Sequence, residues 1–468
     1  MEALRHCFPQ NLRQFLNELP ESLDETYERI LKGINKAQRN NAHRLLQCLT
    51  VASRPLRVEE VAELLAFDFQ AMSSIGLPAL KEDWRWDDQE EAVLSTCSSL
   101  IAIVPSGDSR VVQFSHFSVK EYLTSPRLAR SHGDVSRFHI DLGPAHTIMA
   151  QACLATLLRR EEQAGDSGAK GSPLVKYAAQ HWVDHTQFEK VSSHVSNGMV
   201  DLFDTSKPHF AAWLQVHNID EGWSNFSPWP PGGIGSPLYY AAFCGFYNLA
   251  ELLIMKHPEQ VNALGGRNLF PLPAALSKRH FRVANLLHKH GAVVDVRGSC
   301  KRTPLHVASI SGSVDIMRWL LDHHADANSR NWVGRSPLHF AAYHMRLDAV
   351  RDLLEHNADT NLLSNIDETP LSDLLTRHDS SLDGKIADIV RQLLEHGANT
   401  NIRNSSHSTA LHQVSSRGWP KVTQLLLSYG AKVDERDEEG KTPFQLAASS
   451  GYHEVAKLLL EHSAVPQP

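Results

Sequence analysis

The residues most able to do chemistry in this sequence are its 27 histidines, among 468 residues of net charge −7. Histidine is the usual general acid or base near neutral pH and the commonest metal ligand. Several of these histidines recur at matching places in successive segments: His306, His339, His412, His323, His356 and His396. A residue that recurs along a repeating chain is typical of a structural position, so we expect neither a metal site nor catalysis from them.

Two further segments could act on a substrate. Ser115 and His116 are neighbours, but no Gly-x-Ser-x-Gly elbow accompanies them, and adjacent strand residues point to opposite faces. The glycine-rich run at 165–172 has the wrong spacing for a Gly-x-x-x-x-Gly-Lys-Ser/Thr loop, whose backbone N–H groups hold phosphate. It is typical of a flexible linker. We therefore expect no enzyme activity, no tight ATP binding and no cofactor.

Composition excludes other classes of protein. Six cysteines without a Cys-x-x-Cys pair predict reduced, buried thiols, with no disulfide framework or zinc knuckle. No apolar run approaches the roughly 18 residues of a membrane span, and the N-terminus lacks the features of a secretory signal. The negative net charge argues against binding to a phosphate backbone. We expect a cytoplasmic protein, with a nuclear location left open, that binds neither membrane nor nucleic acid.

The C-terminal half repeats with a period of 33 residues. Copies of Thr-Pro-Leu-His-Val-Ala, exact or partial, begin at Ser236, Phe270, Thr303, Ser336, Thr369, Thr409 and Thr442, with an insertion of seven before Thr409. Thr or Ser is a good N-cap and Pro suits the first helical position, so each copy should start a helix. Glycines such as Gly245, Gly312, Gly418 and Gly451 should end it, and a second helix with apolar residues at helical spacing follows.

This unit is similar to the ankyrin repeat, and about seven copies fill residues 235–468. One unit cannot bury its apolar face alone, so the repeats should stack into a solenoid. The resemblance implies that the histidine of Thr-Pro-Leu-His joins neighbouring repeats by hydrogen bonds. It also implies that partners bind a concave surface formed by β-hairpin fingertips and the outer face of each first helix.

Several exposed positions on that surface are candidates for protein binding. They are Arg302, Ile310, Trp332, Arg335, Tyr343, His344, Glu368 and Arg417. We single out Trp332, Arg335 and Tyr343, because aromatic residues and arginine dominate binding hot spots.

The repeats also depart from their own pattern. Arg279, Met345 and His378 stand where the helix-ending glycine is expected, and the fifth copy carries an insertion at 378–385. Insertions in repeat proteins usually form loops on one face, and we favour a tolerated loop over a partner contact here.

The N-terminal half has no period, and its pattern predicts longer helices and one β-hairpin. Ser22 with Glu25, and Ser118 with Glu121, have the spacing of capping boxes. Helices at 40–52, 58–66 and near 92–99, followed by a hairpin around a Pro-Ser-Gly-Asp turn, predict a winged helix. We place its recognition helix at 58–66, which carries three glutamates and no Lys or Arg, so DNA reading is not expected.

The predicted fold is mainly α, with a winged helix and a helical bundle followed by an ankyrin-repeat solenoid. The domains are a remnant helix at 1–18, the winged helix at 19–125, a helical region and linker at 126–234, and the repeats at 235–468.

Residues 19–31, 54–63, 97–100 and 116–123 resemble the segment that follows the nucleotide-binding domain in fungal NACHT–ankyrin proteins. Residues 150–158, 174–182 and 207–214 resemble the regions after it. A NACHT domain needs the phosphate loop that this sequence lacks, so the chain resembles the C-terminal portion of an NLR-like receptor without its nucleotide switch. A winged helix of this type is also reported beside inositol-deacylase-like hydrolases.

Three functions stay open. The chain is a protein-binding scaffold or sensor, a regulatory subunit acting in trans on an intact NACHT protein, or a fragment of a larger enzyme whose NTPase or hydrolase domain lies upstream.

Overall fold

A computed structural model describes residues 22–131, 133–159, 172–220, 235–266, 268–377 and 383–463. The chain divides into two units, Met1–Gly222 and Trp223–Pro468. No helix within the described ranges combines the length and apolar character that a membrane span requires. The helix predicted at 1–18, the glycine-rich run at 165–171 and the insertion residues 378–382 lie outside those ranges.

The first unit begins with a winged helix. Its helices are α1 (Leu23–Gly33), α2 (Arg39–Val51), α3 (Val58–Leu65), α4 (Gln89–Cys97) and α5 (Phe117–Leu123). Its strands are β1 (Leu56–Arg57), β2 (Phe67–Met72), β3 (Pro78–Leu80), β4 (Ile101–Ser106) and β5 (Ser109–Phe114). Strand β5 lies between β1 and β4 in an antiparallel sheet, and β4–β5 is the predicted hairpin. The hairpin β2–β3 was not predicted.

The two predicted capping serines have different outcomes. Ser22 caps α1, because its Oγ accepts a hydrogen bond from the Glu25 amide at 3.2 Å. The prediction for Ser118 is wrong. Helix α5 starts one residue earlier, and His116 Nδ1 accepts from the Ser118 amide at 3.3 Å. The Ser118 hydroxyl lies instead 2.7 Å from the Tyr27 hydroxyl, so a tertiary contact replaces the local cap.

The recognition helix was also assigned to the wrong segment. Helix α4 directly precedes the β4–β5 wing and takes that position, whereas α3 lies one helix earlier. Glu60 and Glu63 of α3 are buried, and each pairs with an arginine at 2.6 Å. Helix α4 opens with Gln89, Glu90 and Glu91 and contains no Lys or Arg, so it too lacks the positive charge of a DNA-reading helix.

A helical bundle completes the first unit. Its helices are α6 (Pro126–Ala129), α7 (Leu142–Leu158), α8 (Val175–Gln187), α9 (Val191–His194), α10 (Ser196–Leu202) and α11 (His209–Val216). Trp182 of α8 and Trp213 of α11 meet edge to face, with ring centroids 5.3 Å apart. Both rings are fully buried, so this aromatic contact fixes α11 against the bundle.

The second unit contains seven consecutive helix pairs within residues 235–463, as predicted. The first helices are α12 (Pro237–Cys244), α14 (Pro271–Ser277), α16 (Pro304–Ser311), α18 (Pro337–Tyr343), α20 (Pro370–Leu375), α22 (Ala410–Ser415) and α24 (Pro443–Ser449). The second helices are α13 (Tyr247–Lys256), α15 (Phe281–Lys289), α17 (Val314–Asp322), α19 (Leu347–Glu355), α21 (Asp383–Glu395), α23 (Pro420–Ser428) and α25 (His453–Ser463). The mainly helical fold is confirmed.

The recurring histidines are structural, as the ankyrin resemblance implies. His306 Nδ1 accepts from the Thr303 amide at 3.2 Å, and His306 Nε2 lies 3.1 Å from the Arg335 carbonyl of the next repeat. His339 and His412 make the same pair of contacts one and three repeats later. Each ring therefore caps its own helix and joins two repeats, which leaves no ring nitrogen for a metal.

The glycine positions and their substitutes also behave as predicted. Gly245 and Gly312 end their helices in the left-handed conformation, with φ of +76° and +73°. Arg279 and Met345 adopt the same conformation at φ of +60° and +53° without being glycine. This geometry is unfavourable for a side chain, so stacking of the repeats must impose it there.

Gly418 should tolerate alanine poorly. A Cβ added at Gly418 would lie 2.3 Å from the Tyr452 ring, whereas one added at Gly430, which has a similar positive φ, meets nothing within 4 Å. Gly430→Ala should cost about 1 kcal/mol through backbone strain alone. Gly418→Ala should cost a further ~1–3 kcal/mol through the clash. Urea midpoints of the two variants measure this difference, and equal midpoints would contradict the packing of Tyr452 on Gly418.

Candidate protein-binding surface

The fingertips are the loops between successive repeats, and they are turns rather than the predicted β-hairpins. All strands of the described residues lie before Ser115. In one fingertip, Asn331 Oδ1 accepts from the amides of Val333 and Arg335 at 3.1 and 2.9 Å. Neighbouring fingertips share backbone hydrogen bonds, such as Trp332 N to Cys300 O at 3.0 Å. Side-chain capping and these single bonds fix the tips without a ladder of strands.

Trp332 projects from its fingertip with 64% of its surface exposed. Ile366, on the next fingertip, is 56% exposed. A tryptophan packed flat on the neighbouring finger would lose most of its exposure, so Trp332 is not consumed by that contact. Two large apolar side chains on adjacent tips give the surface an apolar edge.

Tyr343, at the end of α18, is held by two arginines. The Arg335 guanidinium lies 5.6 Å from the centre of the Tyr343 ring, and that of Arg377 lies 5.5 Å from it. Arg377 Nη1 also donates to the Tyr343 carbonyl at 2.8 Å. Cation–π contacts of this kind fix both the ring and the charged groups.

Three more arginines line the ends of the first helices. Arg302 lies over the Phe340 ring at 5.1 Å, and Arg346 Nε donates to the Ile310 carbonyl at 3.2 Å. Arg417 Nε donates to the Arg377 carbonyl at 2.7 Å. The name arginine patch is used below for Arg302, Arg335, Arg346, Arg377 and Arg417.

His344 shows that these charges lie close together. Burial lowers the pKa of His344, and the positive charges of Arg346, Arg377, Arg302 and Arg335 lower it further. Neutral imidazole is therefore the preferred form of His344 in the folded protein.

Two acidic side chains are buried near the patch. Glu368, which we expected to be exposed, is only 6% exposed, and its Oε1 accepts from Asn404 Nδ2 at 2.9 Å. Asp373 is fully buried and pairs with Arg335 at 2.6 Å. Burial raises the pKa of Asp373 to about 7, although Arg335 acts in the opposite direction.

The structure brings most of the predicted positions together. Arg302, Arg335, Tyr343, His344 and Arg417 surround the patch, Ile310 is half-buried beside it, and Trp332 lies on a fingertip. Sequence reasoning missed Arg346 and Arg377. Arg377 follows His344 by 33 residues and precedes Arg417 by 40, so the repeat spacing carried the signal.

No group of three or more His, Cys, Asp and Glu side chains within the described ranges is arranged to hold a metal ion.

Comparison with known proteins identifies both kinds of module. Residues 272–364 and 378–467 match the family model for ankyrin repeats, and residues 27–136 match the model described as GPI inositol-deacylase, winged helix domain. Ankyrin repeats and a winged helix are therefore present in the chain.

Two individual proteins are similar to the chain. Azaphilone pigments biosynthesis cluster protein L of Monascus ruber is 31% identical over 309 residues, which cover 61% of this chain and 63% of the relative. The match thus spans less than two thirds of that relative. The crystal structure of the ankyrin repeat domain of Bcl-3 is 26% identical, with 49% of this chain and 99% of that chain covered and a TM-score of 0.43.

Proposed function

We propose that the chain is a non-enzymatic scaffold or sensor that binds another protein through the concave face of its ankyrin repeats, in the cytoplasm. The observation that carries this proposal is the exposed Trp332 beside Tyr343, with Tyr343 held between Arg335 and Arg377. Tryptophan, tyrosine and arginine supply most of the binding energy in protein interfaces. Repeat solenoids use their concave surfaces for such contacts.

Replacing two aromatic residues tests this proposal. Trp332→Ala with Tyr343→Ala removes the two side chains expected to anchor a partner. Capture of the partner from extract by the full chain should fall at least about tenfold, equivalent to about 1.4 kcal/mol.

A matched control uses the same residue types elsewhere. Trp86, on the winged-helix unit, is 46% exposed, and Tyr429, at the end of α23, is 44% exposed. Trp86→Ala with Tyr429→Ala should retain every partner. Retention of every partner by the Trp332 and Tyr343 variant instead would remove the concave face from the account.

A second candidate function is a regulatory module of a larger enzyme. The match of residues 27–136 to an inositol-deacylase winged-helix model supports it, since that model takes its name from a hydrolase. The full transcript tests this candidate, because a phosphate loop or a nucleophile elbow in frame before Met1 would establish an enzyme domain.

Regulation in trans of a NACHT protein is a third candidate, supported by the sequence likeness of residues 19–31, 54–63 and 116–123. Co-purification of the full chain with an intact NACHT protein tests it, and separate elution of the two proteins would exclude it.

A further inference from the structure

We propose that the arginine patch binds an acidic peptide segment of the partner, an inference that rests on protein binding through the concave face.

The first support is an excess of positive charge that the chain does not neutralise. Of the five arginines, only Arg335 pairs with a carboxylate, that of Asp373, within the part of the chain that the structure describes. The same arginines stand in a protein of net charge −7, so the patch differs in sign from the chain as a whole. A local excess of one sign attracts a ligand of the other sign and speeds its encounter.

The second support is that the guanidinium groups are fixed but keep free donors. Arg302 makes only its contact with the Phe340 ring, with no hydrogen bond from its guanidinium to any described residue. Arg377 uses Nη1 for the Tyr343 carbonyl, and its Nε has no hydrogen-bond partner among the described residues. Arginine binds a carboxylate through two parallel N–H donors, and side chains that are already ordered lose less entropy on binding.

The neighbouring residues favour a peptide over a nucleic acid. Trp332 and Ile366 supply exposed apolar surface on adjacent fingertips, which suits the side chains of a polypeptide. Glu368 and Asp373 place two acidic groups beside the patch, and the rest of the chain carries net negative charge. A polyanion that extends beyond five arginines would meet that negative charge, whereas a short acidic segment need not.

The probe for this inference is a fluorescein-labelled octaglutamate, whose binding to the full chain is followed by fluorescence anisotropy. Octaglutamate should bind, and its affinity should fall as NaCl rises from 50 to 200 mM. Octalysine should not bind. Arg302→Gln with Arg377→Gln should weaken octaglutamate binding at least about tenfold, and Arg302→Gln alone about threefold. The single variant removes no hydrogen bond, so it should keep its fold.

The matched control replaces two arginines on second helices. Arg351 and Arg391 are half-exposed and lie 3.8 and 3.6 Å from carboxylates three residues earlier. Arg351→Gln with Arg391→Gln removes the same net charge and should leave the affinity within twofold.

Several results would overturn the inference: no binding of octaglutamate, equal binding of octalysine, equal losses in the two double variants, or tighter binding of octauridylate, which would assign the patch to nucleic acid. If octaglutamate fails to bind while the Trp332 and Tyr343 variant still loses its partner, the acidic ligand is wrong and the proposed function stands. If that variant keeps every partner, both proposals fail.

Discussion

Lowering the pH from 7 to 5 should destabilise the ankyrin unit by on the order of 4 kcal/mol through His306 and His339 together. Burial lowers the pKa of each ring to about 4 in the folded protein, from an ordinary value of 6.5. Between these values the unfolded chain binds more protons than the folded chain. The contribution of each histidine is therefore complete above pH 6.5 and is lost as the pH falls toward 4, by about 2 kcal/mol at pH 5.

Asp373 acts in the opposite direction and makes a variant comparison necessary. Burial raises the pKa of Asp373 to about 7, so the folded protein holds a proton there that the unfolded chain releases, and this group stabilises the fold as the pH falls below 7. The net pH dependence of the natural protein contains both effects. Only removal of the histidines isolates theirs.

Glutamine is the suitable replacement because the last repeat already uses it. Gln445 Oε1 accepts from the Thr442 amide at 3.0 Å, at the position that His306 fills in its own repeat. In His306→Gln with His339→Gln, the stability difference between pH 7 and pH 5 should shift by about 4 kcal/mol in favour of pH 5, measured by urea unfolding at both values. The exposed pair His290→Gln with His453→Gln is the control and should leave that difference unchanged. An unchanged difference in the buried pair would contradict the structural role of these histidines.

Leu320→Ala should cost about 2–5 kcal/mol of unfolding free energy. Leu320 lies in α17, on the third of seven repeats, and is fully buried. Its truncation leaves a cavity within a stack in which each repeat is stabilised by its neighbours, so the loss should spread to adjacent repeats. The urea midpoint measures it.

The exposed Leu252 of α13 provides the control for that substitution. Leu252→Ala should change the free energy by less than about 0.5 kcal/mol. Equal midpoints for the two variants would mean that α17 does not pack through Leu320.

The repeats were predictable because their signals are local. Thr or Ser followed by Pro fixes each helix start, and the period of 33 residues gives each position in one repeat its counterpart in the next. The same period placed Arg302, Arg335 and Glu368 at one equivalent site. Glu368 is nevertheless buried, since Asn404 of the following repeat contacts it, and that contact depends on the next repeat rather than on position.

The N-terminal unit gave weaker signals because its contacts are distant in sequence. Ser118 has the spacing of a cap, but the hydroxyl of Tyr27, 91 residues earlier, engages it. The hairpin β2–β3 lacks a two-residue Asn-Gly or Asp-Gly turn and contains an irregular register between Asp68 and Met72. The place of α4 as the helix before the wing is a property of topology, which a list of helices does not supply.

The patch itself was only partly predictable. Arg377 stands one residue before the insertion at 378–385, where the repeat register is interrupted, and this hid its equivalence to His344 and Arg417. Cation–π contacts, such as that of Arg377 with Tyr343, join two repeats and become visible only once the repeats are stacked.

The central claim, that the concave face of the repeats binds a partner protein, is tested most directly by site-specific photocrosslinking in cells. A benzoylphenylalanine would replace Tyr343 on the concave face or, in a second variant, Tyr429 at the end of α23. The account predicts a crosslinked partner of the full chain from position 343 and none from position 429. A partner crosslinked from position 429 and absent from position 343 would contradict it.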